Sequence, residues 1–346
     1  MERESALGDE VLAKVLSDRY GIDVATVEPV PMGTETINRR VTLTDGRRVF
    51  VKQYRAAADL EQARVAWDMS EFCRGAQVPV PRAWRSWDGD VITPFADAAW
   101  VVADEALGRV ATEPMTVPRA QCTGLMLGRM HRALASYPSP ARVRQTRWRT
   151  ASVESAAVQT DAALARSAAQ HDPRLGQLRV ELEQRREDLD SHVSRLRAGL
   201  PEILVAQAAH ADFTRPNLLA QEDVITAILD FQGETCVLAW ELGRAAFDPR
   251  TVANSSSWLQ SALRLIDAYR VENPDLPLAD LQACARVALL YMLFSLYGAT
   301  TAEYHLPAEA EADLRRHWVE RQITIRRLLD NLDELETALG SIGQGR

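Results

Sequence analysis

His210-Ala-Asp212-Phe-Thr-Arg-Pro-Asn217, followed by the mostly apolar run Ile225 to Leu229 and then Asp230-Phe231, sets a carboxylate, an amide and a second carboxylate in order. Phosphoryl transfer uses that set: a carboxylate for the attacking hydroxyl, then an amide oxygen and a carboxylate for a magnesium ion. On this reading Asp212 is the catalytic base, and Asn217 and Asp230 are the metal ligands. Magnesium takes few protein ligands and completes its shell with phosphates and water, so two side chains suffice. His210 reads as a buried, hydrogen-bonded framework residue, not as a proton donor.

Upstream, Val41-Thr-Leu-Thr44 and Arg47 to Val51 alternate around Asp45-Gly46, a two-residue hairpin signal, and Lys52 ends the second strand. Lys14 and Lys52 are the only lysines among 40 basic residues. Arginine has replaced lysine nearly everywhere, yet position 52 keeps the compact ammonium that reaches nucleotide phosphates better than a planar guanidinium does. Glu61 stands nine residues later in a predicted helix over 57–74, placed to orient that ammonium, with Asp68 as the alternative partner. Gly33, Thr34, Glu35 and Thr36 are expected to form a turn over the phosphates, with backbone N–H groups as anion ligands.

Around these residues the pattern predicts a helix at 8–20, strands within 27–54 and at 82–86, 90–95 and 99–103, and the 57–74 helix. Together they make a smaller lobe over 1–103, a five-stranded sheet with one helix. Residues 104–108 form the expected hinge, with Asp104 and Ala106 as nucleotide-binding candidates. From 109 to 346 the chain reads as mostly helical. Leu175, Leu178, Leu182, Leu189, Val193, Leu196 and Leu200 make one apolar stripe, suited to packing on the larger lobe's core, with a homodimer seam as the alternative. Loop and hairpin are expected over 204–231, and helices from Thr251 to Leu339, broken at 273–277 and 305–307.

The net charge of −8 argues against a nucleic-acid partner; it suits a cationic substrate, though solubility explains it equally. Acidic residues interrupt any apolar core near the amino terminus, and the longest apolar stretch, Val287 to Ala299, is too short to cross a membrane. It reads as a buried helix. Cys73, Cys122, Cys236 and Cys284 show neither metal-ligand spacing nor a disulfide framework, so a cytoplasmic location is expected.

The order Gly33 to Asn38, Val51-Lys52, Glu61, Val78-Pro-Val-Pro81, Leu127-Gly-Arg-Met-His131, His210-Ala-Asp212 to Asn217, Leu229-Asp230 and Trp240-Glu-Leu242 resembles the aminoglycoside phosphotransferase and choline kinase superfamily. The resemblance covers about residues 30–250. It implies an α+β, two-lobed protein-kinase-like fold, with a small antiparallel-sheet lobe and a large helical lobe. It also implies Mg2+ and transfer of the γ-phosphoryl group of ATP or GTP to a small-molecule hydroxyl. The arginine- and alanine-rich composition suggests a GC-rich bacterial genome, which with the resemblance leans toward an antibiotic acceptor, aminoglycoside-like or nucleoside- or sugar-containing, and resistance. A metabolite kinase of the choline, ethanolamine or homoserine type is the alternative. A non-catalytic nucleotide-binding pseudokinase is disfavoured because Lys52, Asp212, Asn217 and Asp230 are all present.

Three departures stand out. Ala211 replaces a usual glycine, which calls for negative φ there; Asp230-Phe-Gln232 lacks a D-F-G glycine; Glu241 stands where relatives have Asp-Leu-Ala, a position that braces the catalytic loop. The lack of an activation loop argues against a protein substrate. The acceptor pocket discriminates further: carboxylates favour an amine-bearing antibiotic, an aromatic cage favours choline, and arginines favour an acid. Trp240, Trp258, Trp318 and Tyr304-His305 are candidates to line it, although the core is their commoner place.

Overall fold

Asp45-Gly46 turns the chain between β2 (Thr36–Leu43) and β3 (Arg48–Tyr54), with Gly46 at φ 84, in the left-handed region that glycine tolerates. The structure is a computed structural model describing residues 2–30, 36–55, 58–169, 174–300 and 308–342. β1 (Val24–Val30), β4 (Thr93–Phe95) and β5 (Ala98–Asp104) complete a five-stranded antiparallel sheet of order β1-β2-β3-β5-β4.

Alternation along β2, β3 and β5 sends one set of side chains to each face. α1 (Glu2–Tyr20) covers one face, packing Leu12, Val15, Leu16 and Tyr20 on Val41, Val49, Val51, Trp100 and Val102. α2 (Leu60–Gly75) serves the other, where Leu60, Ala63 and Trp67 meet Ile92, Ala99 and Val101. Its first turn is capped by the Asp59 carboxylate, which accepts the Gln62 N–H. The helices expected at 8–20 and 57–74 are both present, so the smaller lobe sets two helices, not one, against its sheet. The predicted strand at 82–86 is an isolated bridge, Ala83 to Ala103. One edge of β5 is shared: β4 takes its first half and residues 82–84 its end.

β6 (Arg109–Val110), β8 (Leu218–Gln221) and β9 (Val224–Ile228) form a three-stranded sheet, and β7 (Ala206–Ala209) pairs with β10 (Glu234–Val237). Helices surround both: α3 (Val117–Leu134), α4 (Arg147–Thr150), α5 (Val153–Ala169), α6 (Leu175–Ala198), α7 (Leu238–Ala246), α8 (Pro249–Asn254), α9 (Trp258–Glu272), α10 (Leu278–Phe294), α11 (Ala308–Asp330) and α12 (Leu332–Ser341). On α6 the stripe residues Leu178, Leu182, Leu189, Val193 and Leu196 are buried within the chain.

Helices resume at Leu238, before the expected Thr251. The apolar stretch from Val287 also outlasts its helix, because α10 stops at Phe294. There the buried Arg185 donates to the Met292, Leu293 and Ser295 carbonyls, satisfying groups a helix end leaves open. α3 crosses α9 at very short range: a Cβ on Gly124 would lie 2.1 Å from the Leu265 carbonyl oxygen, and one on Gly128 would lie 2.4 Å from that of Tyr269. Among the described residues no helix is long and apolar enough to cross a membrane.

Candidate active site

The two small sheets of the larger lobe fix the loop between them. His210 follows β7, a 3-10 turn covers Arg215–Asn217, and Asn217 leads into β8. Asp230 lies just beyond β9, and two backbone bonds clamp the segments: Leu229 N–H to the Asn217 carbonyl (2.8 Å) and Gln232 N–H to that of His210 (2.9 Å). The Val78-Pro-Val-Pro81 segment docks on the same hairpin, its Pro79 carbonyl accepting the Ile228 N–H at 2.7 Å.

This scaffold brings Asp212, Asn217, Asp230 and Lys52 together. The Asn217 amide donates to both the backbone oxygen and Oδ2 of Asp212, each at 2.9 Å, and no donor among the described residues occupies its own carbonyl oxygen. The Lys52 ammonium, from β3, pairs with the Asp230 carboxylate across the two lobes. Burial pushes the Asp230 carboxyl up, but Lys52 more than offsets this and holds it below the ordinary carboxylate range.

The expected Lys52–Glu61 pair is not formed. Glu61 is exposed on α2, and the alternative, Asp68, accepts a hydrogen bond from the Tyr137 hydroxyl at 2.7 Å. An ammonium gains more from the partly enclosed Asp230 than from a solvated helix carboxylate. α2 meets the site through its next residue instead: the Gln62 amide donates to the Gln232 and Gly233 carbonyls. Gly233 has φ 63, and a Cβ there would lie 3.0 Å from the Ala66 Cα, so glycine permits this close approach.

His210 is a framework residue in the structure. Its Nε2 lies 2.8 Å from the Leu229 carbonyl, its Nδ1 accepts the Asp212 N–H, and burial lowers its pKa. Ala211 has φ 65, contrary to the negative value expected, so a buried methyl occupies a left-handed backbone position here. Beneath the loop Glu241 accepts the Phe213 N–H at 3.4 Å and lies 2.9 Å from His131 Nε2. Burial pushes this carboxyl up, but the His131 hydrogen bond leads a larger opposing effect, so it titrates below its ordinary range. His131 Nδ1 reaches the Tyr269 hydroxyl at 2.9 Å. The unusual Glu241 thus braces the loop through a buried chain from α7 to α3 to α9.

Arg244 escaped the sequence reading. One turn after Glu241 on α7, it places Nη2 3.2 Å from Asp212 Oδ1, with its guanidinium 4.7 Å and 5.2 Å from the Trp240 and Tyr291 ring centres. Its signal was one cation inside an otherwise apolar stretch from Leu238 to Ala246 that includes a carboxylate. Trp240 and Trp318 are buried, so they serve packing first.

Of the residues expected to bind nucleotide, Gly33 and Thr34 lie outside the described residues. Thr36 opens β2, its hydroxyl donating to the Asn38 side-chain oxygen at 2.9 Å. The Asp104 carboxylate is taken by Arg82 and by the Trp84 indole N–H at 2.6 Å, and its backbone N–H donates to the Arg82 carbonyl at 2.9 Å. The Ala106 N–H has no backbone partner among the described residues.

A sequence profile of the phosphotransferase enzyme family matches residues 26–263, more than half of the chain. The chain belongs to that family. A homoserine kinase of Zymomonas mobilis is 24% identical over 218 residues, which cover 63% of this chain and 62% of the relative's length. The fold of this family member also matches a spectinomycin phosphotransferase bound to ADP and spectinomycin, with TM-score 0.59, 12% identity, and 96% and 98% of the two chains covered. An amicoumacin kinase bound to AMP-PNP and Ca2+ matches with TM-score 0.60 and 17% identity over 93% and 96% of the chains. A microcompartment-associated aminopropanol kinase matches with TM-score 0.58 and 16% identity over 93% and 98%. These likenesses establish the two-lobed kinase-like fold.

Proposed function

We propose that the protein is a magnesium-dependent O-phosphotransferase moving the γ-phosphoryl group of ATP or GTP to a hydroxyl of a small molecule. The observation that carries this reading is the convergence of Asp212, Asn217, Asp230 and Lys52 from separate segments onto one cleft. Asp212 is positioned by Asn217 and Arg244, and its carboxylate accepts the acceptor's hydroxyl proton as the new O–P bond forms and the nucleoside diphosphate leaves. Lys52 binds phosphate oxygens once nucleotide draws it from Asp230.

The Asn217 carbonyl oxygen and the Asp230 carboxylate are hard oxygen donors, as magnesium requires, and no cluster of three or more His, Cys, Asp or Glu suited to a metal occurs among the described residues. Two protein ligands fit a cation that takes its remaining oxygens from phosphates and water. Magnesium, when bound, neutralises charge developing on the transferred group.

The test is nucleotide consumption over an acceptor panel of aminoglycosides, nucleoside antibiotics, choline, ethanolamine and homoserine. Asp212→Asn is expected to lower turnover by roughly 10²–10⁴ while calorimetry finds nucleotide affinity unchanged. Turnover within tenfold of wild type in a folded variant refutes the assignment. Nucleotide binding without turnover on any acceptor favours the pseudokinase.

A further inference from the structure

We propose that Arg244 and the Tyr291 hydroxyl form a subsite for a carboxylate, so that the acceptor is a small hydroxy acid; the proposal rests on Asp212 being the base that meets its hydroxyl.

Arg244 is built for recognition as well as for holding Asp212. Its guanidinium lies over two rings, 4.7 Å from the Trp240 centre and 5.2 Å from that of Tyr291, which fixes the plane of the fork. Only Nη2 is engaged, with Asp212 at 3.2 Å; the other N–H donors have no protein acceptor among the described residues. The side chain is 17% exposed, so those donors meet an open but sheltered space. Tyr291 stands edge-on to Trp240, 5.7 Å between ring centres, and its hydroxyl has no protein partner among the described residues. Arg244 lowers the Tyr291 pKa, which strengthens that hydroxyl as a donor. A planar fork beside a neutral O–H matches a carboxylate in geometry and in its single charge.

The surrounding charges point the same way. Carboxylates on and around these elements have partners of their own: Glu241 lies on His131, Asp280 accepts the Val205 N–H, Glu234 pairs with Arg142 and Arg144, and Asp313 and Glu320 pair with Arg250. Arg215, in the catalytic loop itself, has no carboxylate partner among the described residues and donates to the Ala111 carbonyl. An acceptor that carries only an ammonium, with no carboxylate, would approach Asp212 against Arg244 and Arg215. A phosphate would bring a second negative charge that one free fork does not match.

Steady-state rates with glycerate, serine and homoserine, compared with their primary amides, test the proposal; glycerol phosphate and an aminoglycoside serve as the other arms. Wild type should favour an acid over its amide by roughly tenfold or more in kcat/KM, mainly through KM. In Arg244→Gln that preference should fall to within about threefold, whatever happens to kcat through Asp212, and Tyr291→Phe should reduce it without removing it. Thermal melts establish that both variants fold. Equal use of acid and amide by wild type, a preference surviving Arg244→Gln, or best turnover with glycerol phosphate or the aminoglycoside overturns the subsite while leaving the kinase reading intact. Nucleotide binding with no transfer to any arm overturns both.

Discussion

Lys52 sits within β3, two residues before the strand ends at Tyr54, with its side chain 18% exposed, its ammonium on Asp230 and 5.9 Å from the Trp67 ring centre. A guanidinium carries the same charge but needs a wider, planar slot and would displace bound phosphates. Lys52→Arg is therefore expected to lower turnover at saturating nucleotide by on the order of a hundredfold, close to Lys52→Ala, with the fold intact by thermal melt. Activity near wild type would make Lys52 a generic surface cation. At this scale the sequence was readable wherever the chemistry lies along the chain: Asp212 and Asn217 share one loop, and Asp230 lies just beyond the hairpin that follows. It was less readable where pairing joins distant segments. Whether Lys52 chooses Glu61 or Asp230 depends on how α2 faces the strand, and Arg244 reaches Asp212 only because α7 packs beneath the loop. Ala211 was expected at negative φ and stands at φ 65, because left-handed backbone at an alanine has no sequence signature.

Among elements, the α3–α9 crossing matters most to the site because it carries the His131–Tyr269 contact that supports Glu241. Gly128→Ala would set a methyl 2.4 Å from the Tyr269 carbonyl oxygen and 2.9 Å from the Glu272 Cβ. Denaturant melts should show a loss of about 1–3 kcal/mol, the usual cost of overpacking. Gly176→Ala on α6, with nothing within 4 Å, is the control and should be neutral or stabilising by up to about 1 kcal/mol. A reversed order of the two would refute the packing argument. The α6 stripe was legible because one face is wet and the other dry. α7 was not, since eight of its nine residues are buried and no polar face repeats along it. The 82–86 segment has strand-like composition but only part of an edge to pair with.

The molecule as a whole should be acid-sensitive before its carboxylates titrate. Burial first, then Arg321, Arg215, Arg244 and Arg250, holds the His317 imidazole down to about 3, and burial also lowers His210. His317 stays neutral in the fold while the unfolded chain protonates it below about pH 6.5, so stability falls as pH drops from there toward 3, and the lowered His210 adds to the loss in the same direction. His317 can contribute at most about 1.4 kcal/mol per pH unit. Melts between pH 7.5 and 5, conditions chosen around about pH 6.5, should show a shallower slope for His317→Gln, which keeps an acceptor for Arg321; an unchanged slope would discount His317 as a cause.

The lysine that closes onto Asp230 also behaves as a tethered competitor. A bare divalent ion arriving at that carboxylate must evict a cation whose effective concentration its own chain keeps high. A metal already complexed to nucleotide offers the evicted ammonium a new anion in the same event. If the metal and nucleotide bind as proposed, the cleft is expected to screen its visitors by arrival state: lone ions must displace the lysine, and preassembled ion–nucleotide complexes exchange one neutral pairing for another.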